Sequence, residues 1–235
     1  MAKRQLLNAW METHNVRTLQ FDFRDEPIDF FAGQFITVSQ QFRGYKRPVK
    51  RAYSIASSPL QKGLVEVTIK REVPGLMSQF LTEMPVGQEL EVIGPAGKYL
   101  YEPSRGRKLL LLGAGSGITP LHSMTRFVLD SEQPDSTVRL FFSVRTPRDI
   151  IYDKLWDKLD ADHDNFHYNL TMTRTKPEDW AGRHGRITKE WVLETSGDVS
   201  DHVAYICGPG PFVESMEQLS KDLGIEPDRI NVEKW

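Results

Sequence analysis

One cysteine, Cys207, is all that the 235 residues contain. That scarcity excludes intramolecular disulfides and metal sites assembled from several thiolates, an iron–sulfur cluster on four cysteines among them. No apolar run approaches the roughly 20 residues that cross a bilayer as a helix, and the start, MAKRQLLNAW, has no apolar signal core. The expectation from these absences is a cytoplasmic protein without membrane insertion. The net charge is only −2, so the whole molecule has no pull toward nucleic acid. No sequence repeat is present, which sets solenoid architectures aside.

What the chain does have is a globular balance, with 39% hydrophobic and 26% charged residues, and length enough for one large domain or two small ones. Its charge is unevenly placed. Residues 1–103 carry 13 Lys and Arg against 11 Asp and Glu, whereas residues 104–235 carry 17 against 21. The positive excess gathers in Arg43, Lys46, Arg47, Lys50 and Arg51.

The pattern of the chain changes near Pro103–Arg107. Before it, FITVS, LVEVTIK and ELEVIG are short β-rich runs separated by turn signals such as SSPLQKG and GPAGK. One short helix is expected there, LMSQFLTEM, with Leu76, Phe80 and Leu81 on its apolar face. Residues 1–103 therefore predict an antiparallel β-barrel. Beyond the change, KLLLLG, VRLFFSV, FHYNLTM, HVAYIC and RINVE read as strands, the first being apolar enough to be buried on both faces. Helical segments lie between most of them: PLHSMTRFVLD, IIYDKLWDKL, ITKEWVLET and PFVESMEQLSKDLG. In the last, Val213, Met216, Leu219 and Leu223 recur at helical spacing. The alternation predicts an α/β domain with a parallel sheet over residues 104–235.

Directly after the first of these strands, GAGSGITP places Gly113, Gly115 and Gly117 ahead of a helix. Glycines there let backbone N–H groups approach an anion, and the helix start adds partial positive charge. Ser116 lies in the same loop. Thr119 is expected to cap the helix, with Pro120 at its first position. The spacing departs from the common dinucleotide fingerprint. Where a carboxylate often holds an NAD ribose, the chain reads Ser143-Val144-Arg145, with Arg148 following and Thr173-Arg174 ending the next strand. Arginines near that ribose suit a 2′-phosphate and favour NADPH over NADH.

RAYSIASSP, residues 51–59, sets a fixed cation, a phenol and a hydroxyl within four positions. Together with GAGSGITP, YICGPGP and the ending NVEKW, this stretch resembles the ferredoxin–NADP reductase superfamily, flavoenzymes with a β-barrel FAD domain and an α/β NAD(P) domain. The resemblance covers nearly the whole chain, in the family's order. It implies that Arg51 pairs with the FAD pyrophosphate, Tyr53 stacks on the isoalloxazine and the Ser54 hydroxyl bonds flavin N5. PGLMS resembles the family's second FAD element, so that Gly75 permits a turn and the N–H groups of Leu76 and Met77, with Ser78, face the pyrophosphate. By the same resemblance Cys207, Gly208 and Pro209 lie beside the nicotinamide, and Glu233 is linked through Ser54 to N5 as a proton relay. Trp235 would cover the flavin where plant-type members end in tyrosine.

The implied chemistry is hydride transfer from NAD(P)H to FAD, followed by single electrons to a separate carrier, because the chain has no cysteines for an iron–sulfur domain of its own. The basic segment Arg43 to Arg51, with Lys70 and Arg71, suits a small acidic ferredoxin or flavodoxin. Three other readings stand beside it: a reductase of free flavin, ferric chelates or quinones; the reductase component of an oxygenase; and a regulatory module that senses NAD(P)H.

Overall fold

The computed structural model describes residues 2–131, 135–175 and 180–234. The chain divides into two compact units, Met1–Tyr101 with His122–Asp130, and Glu102–Leu121 with Ser131–Trp235.

The first unit is built on six strands: β1 (Ala2–Met11), β2 (Val16–Asp22), β3 (Phe35–Gln40), β4 (Val49–Ser54), β5 (Leu64–Lys70) and β6 (Glu89–Ala96). They pair antiparallel in the order β4-β3-β6-β1-β2-β5. The outer members then meet. Ile55 forms an antiparallel bridge with Val67, and Ala56 N–H donates to Glu66 O at 2.7 Å, so the sheet closes on itself as the expected barrel. Alternation sets the interior: Val65, Val67 and Ile69 of β5 join Leu19, Phe21, Ile36 and Val38 in one apolar core.

Strands β1 and β2 were not among the β-rich runs read from the sequence. β1 buries only Leu6 fully and breaks its pairing with β2 between Leu6 and Asn8, which blurs the period-two signal. The helix α1 (Leu76–Glu83) lies beside β4 and β5. Its inward face is Met77 and Leu81, with Phe80 half-buried on the flank, while the expected Leu76 faces solvent. Arg17 ends the helix by donating to Thr82 O at 3.1 Å and Met84 O at 2.9 Å.

The second unit contains β7 (Lys108–Ala114), β8 (Thr137–Val144), β9 (Phe166–Met172), the two-residue β10 (Arg183–His184), β11 (Val203–Gly208) and β12 (Ile230–Lys234). All neighbours pair parallel, in the order β10-β9-β8-β7-β11-β12. Helices α2 (Ile118–Asp130), α3 (Asp153–Asp162), α4 (Lys189–Ser196) and α5 (Gly210–Asp222) connect the strands. Leu109 to Leu112 and every residue of β11 are buried, as both-face burial of central strands requires. Val213, Met216, Leu219 and Leu223 face the core as their spacing predicts. The chain runs outward from β7 through β10, then returns to build β11 and β12 on the other side of β7. Strand order therefore reverses between β7 and β11, and the crevice at their carboxyl ends is where such sheets bind ligands.

Candidate functional site

In the first unit, β4 presents Arg51, Tyr53 and Ser54 at the strand that closes the barrel. Arg51 is exposed and its guanidinium donates to the carbonyl of Lys50 at 2.8 Å. Tyr53, two residues on and so on the same face, rests half-buried against the barrel core. Burial pushes its phenol up to about 12, so the ring is neutral at any working pH. Ser54 is half-exposed opposite Phe35 of β3.

α1 begins next to this strand, with Gly75 as its N-cap residue. Ser78 Oγ is engaged by the loop itself: it donates to Gly75 O at 3.0 Å and accepts from Glu72 N–H at 3.1 Å. The hydroxyl thus shapes the loop, and the groups there that could meet an anion are the first-turn N–H groups, including those of Leu76, Met77 and Ser78, which have no partners within the helix. The residues suit a flat ring joined to a diphosphate: a half-buried aromatic, a permanent cation and unused helix-start donors share one side of the barrel.

The basic segment lies nearby. Arg43, Lys46, Arg47, Lys50 and Arg51 are all exposed. Phe42 pins this loop to α1 through an edge-to-face contact with Phe80, ring centres 5.5 Å apart. Lys70 and Arg71, expected to add to the patch, are instead paired with Glu72 at 3.2 Å and Glu83 at 2.6 Å. Among the described residues, the cations of this region with no ion pair are those of residues 43–51.

In the second unit the site forms at the reversal of strand order. Gly113 ends the buried part of β7, and a turn of 3₁₀ helix at Gly115–Gly117, with Ser116 half-exposed, leads into α2. Gly115 has φ of 54°, a left-handed conformation that suits glycine. Gly117 lies against β11, where an added methyl group would strike the Cys207 carbonyl. Thr119 does not act as the expected cap. The helix begins one residue earlier, and the Thr119 hydroxyl donates back to Ser116 O at 2.9 Å. Pro120 is the third helical residue, still within the turn whose N–H groups have no intrahelical acceptor, so its missing donor costs nothing.

Across the reversal, Cys207 and Gly208 end β11, and Pro209 is the N-cap residue of α5. The starts of α2 and α5 thus both follow the carboxyl ends of adjacent strands, so both helix dipoles favour an anion there. Cys207 is buried, and that burial, with a smaller contribution from the Glu233 carboxylate, pushes its thiol up. It is a neutral, weakly polar wall rather than a nucleophile. Parallel pairing sets Cys207 beside Glu233 of β12. Glu233 is half-buried, and desolvation raises its carboxyl to about 7.

Two anchors hold β12 in this register, and the sequence reading gave them no role. Arg105 donates to Asn231 Oδ1 at 2.8 Å and to the Asp228 carbonyl, and Asn231 Nδ2 donates to Ala204 O at 3.2 Å. Trp235 lies outside the described residues.

At the ends of β8 and β9 the structure brings the expected arginines together. Arg174 N–H donates to Arg145 O at 3.0 Å, and Thr173 donates to Val144 O through both its N–H, at 2.9 Å, and its hydroxyl, at 3.1 Å. Arg145 and Arg174 are exposed, and among the described residues neither forms an ion pair.

Comparison with known proteins agrees with this layout. Residues 4–101 match the oxidoreductase FAD-binding domain family, and residues 111–218 match the oxidoreductase NAD-binding domain family. The chain is 32% identical to the glycine betaine monooxygenase reductase subunit of Chromohalobacter salexigens, over 95% of its own length but only 61% of that protein's. It is also 32% identical to ferredoxin–NADP reductase B of Sorangium cellulosum, over 94% of this chain and 91% of the other. In fold it superposes on the FAD/NAD-binding domain of a nitric oxide dioxygenase from Vibrio cholerae with a TM-score of 0.87, over 99% and 98% of the two chains at 21% identity. A barrel that closes beside an R-x-Y-S strand, and a parallel sheet with a glycine loop at its reversal, carry the two family matches in order: the chain belongs to the ferredoxin–NADP reductase superfamily, with an FAD-binding domain followed by an NAD-binding domain.

Proposed function

We propose that the protein takes a hydride from NAD(P)H, NADPH in preference, and passes single electrons from FAD to a separate carrier. The observation that carries this reading is the set at the reversal of the second sheet: Gly117 packed on Cys207, and Cys207 in register with a half-buried Glu233. A nucleotide-sensing module has no use for a carboxyl held near neutrality at that place.

FAD supplies a centre that accepts two electrons together and returns them singly. The residues divide the remaining work. Arg51 and the start of α1 hold the diphosphate, Tyr53 supports the ring and Ser54 offers a hydroxyl at N5. The glycine loop, Gly113 to Pro120, holds the nucleotide diphosphate on N–H groups and a helix start. Cys207, Gly208 and Pro209 shape the nicotinamide side, so that proximity and orientation are the protein's main contribution to hydride transfer. Glu233, protonated up to about pH 7, is the proton-holding group of the nicotinamide side. Arg145 and Arg174, adjacent like charges with no ionic partner among the described residues, suit the 2′-phosphate of NADPH. On this reading residues 1–103 form the FAD-binding domain and residues 104–235 the NAD(P)-binding domain.

The carrier we propose is a small acidic protein, a ferredoxin or flavodoxin, met by residues 43–51 and exposed Tyr45. A second reading is favoured by the monooxygenase reductase relative, of which this chain spans 61%: the reductase component of an oxygenase system. Anaerobic titration of the yellow protein with NADPH and with NADH, read by loss of flavin absorbance, tests the hydride step and the coenzyme preference together. A protein that stays oxidised with both coenzymes ends the proposal. Stopped-flow reduction of a ferredoxin at rising ionic strength tests the carrier, since screening over about 10 Å should slow a steered encounter.

A further inference from the structure

Two consecutive side chains of α2 lie in the first unit and reach the backbone just beyond the flavin strand. His122 Nδ1 is 2.8 Å from Ala56 O, and Ser123 Oγ donates to Ser57 O at 2.7 Å. Both residues are buried, between Leu121 and Met124 on an otherwise apolar stretch of helix. Because the partner is a carbonyl, His122 must carry its proton on Nδ1 and donate. Burial lowers its imidazole to about 3, so this neutral tautomer persists through the working pH range.

The barrel grips the same stretch from its other side. Ile55 N–H donates to Gln34 O at 2.8 Å, Ala56 N–H to Glu66 O at 2.7 Å, and Glu66 N–H to Ser57 Oγ at 3.1 Å. Regular pairing of β4 with β3 stops at Ser54. The direction of the chain after Ser54, and with it the setting of Tyr53 and Ser54, therefore depends on what fixes residues 55–57. Leucine and alanine would serve equally well to fill apolar space at 122 and 123. The donors are what those positions add.

We propose that His122 and Ser123 are positioning residues of the flavin site, clamping the Ala56 and Ser57 carbonyls so that the Tyr53–Ser54 end of β4 keeps one orientation. The clamp matters to the flavin only if Arg51, Tyr53 and Ser54 hold it, as proposed above.

The test uses the holoprotein and four variants. Ser123→Ala and His122→Leu each remove a donor and leave a buried carbonyl unsatisfied, whereas Ser123→Thr and His122→Asn retain one. The two deletions are expected to raise the FAD Kd about tenfold each, to shift the visible spectrum and midpoint potential of the flavin, and to slow its reduction at saturating NAD(P)H. The two conservative variants should recover most of each change. Deletion variants with a lower Tm but unaltered FAD Kd, spectrum, potential and reduction rate would overturn the clamp. Should His122→Leu fail to fold, Ser123→Ala, which removes a single oxygen, decides alone. Arg51→Ala separates the two levels. If Arg51→Ala keeps normal FAD affinity, the flavin assignment itself falls. If it loses FAD while Ser123→Ala does not, only the clamp falls.

Discussion

The two units offer a phosphate different kinds of partner. On the proposed assignment, the first sets a permanent cation, Arg51, on a barrel strand and adds the start of the eight-residue α1. The second places no cation in its loop, relying on glycines and on the dipoles of α2 and α5 at the β7–β11 reversal. A guanidinium makes charge-assisted, paired bonds that are slow to give up. Backbone donors and a helix dipole hold an anion less tightly and favour exchange. The difference matches the two ligands, one a resident cofactor and the other a substrate that must leave at every turnover. Arg145 and Arg174 stand apart from this contrast because the role proposed for them is to select between coenzymes rather than to grip the diphosphate.

The contrast predicts that damage in one unit is confined to one ligand. The largest effect is expected for Ser54→Ala: FAD is retained, but single-turnover reduction slows by about a hundredfold, as for loss of a positioned proton-transfer group. An unchanged rate would remove Ser54 from the chemistry. Next comes Gly117→Ala, whose methyl group must displace the Cys207 carbonyl. NAD(P)H binding should weaken on the order of tenfold or more, as when well-packed structure must shift by 1–3 kcal/mol, with FAD content unaltered. Loss of FAD in this variant would break the division between units.

Arg145→Ala and Arg174→Ala are each expected to raise the Kd for NADPH about tenfold, the weight of one charge-assisted bond, with little change for NADH. Equal losses for both coenzymes would show the 2′-phosphate to be misplaced.

The smallest effect concerns Glu233. Its carboxyl titrates near 7 in the folded chain against an ordinary 4.5. The folded state therefore holds an extra proton between those values. The associated stability is complete below about 4.5 and is lost as pH rises through about 7. Glu233→Gln should remove a break near pH 7 from the turnover profile and raise Tm at pH 8 by about 2–4 °C. A profile that keeps its break would assign the titration to another group.

Much of this was readable from the chain. KLLLLG and HVAYIC announce themselves as central strands because burial on both faces forces continuous apolar runs. R-x-Y-S and C-G-P stood out through the family resemblance, and the structure sets them at the ends of β4 and β11. β1 was missed because AKRQLLNAWM buries a single residue fully, and β2 because its buried set, Val16, Thr18, Leu19 and Phe21, includes a polar residue and does not alternate strictly. The face of α1 was misread for a related reason. Leu76 and Met77 are equally apolar, and only the packing of the barrel chooses Met77. His122 and Ser123 gave no signal at all, since two polar residues inside a helical run look like a solvated edge until the carbonyls they serve are in place.

By itself, the sequence determined local preference and chemical identity: which apolar runs are central strands, which loop can wrap a phosphate, which side chains carry charge, ring or hydroxyl. These follow from periodicity and from functional groups, which are properties of neighbouring residues. Tertiary structure alone decided that Arg71 is neutralised by Glu83, that Cys207 stands in register with Glu233, and that Glu233 is dry enough to keep its proton near neutrality. Each of these depends on solvent exclusion and on distances between residues far apart along the chain, and neither quantity exists until the strands have found their order.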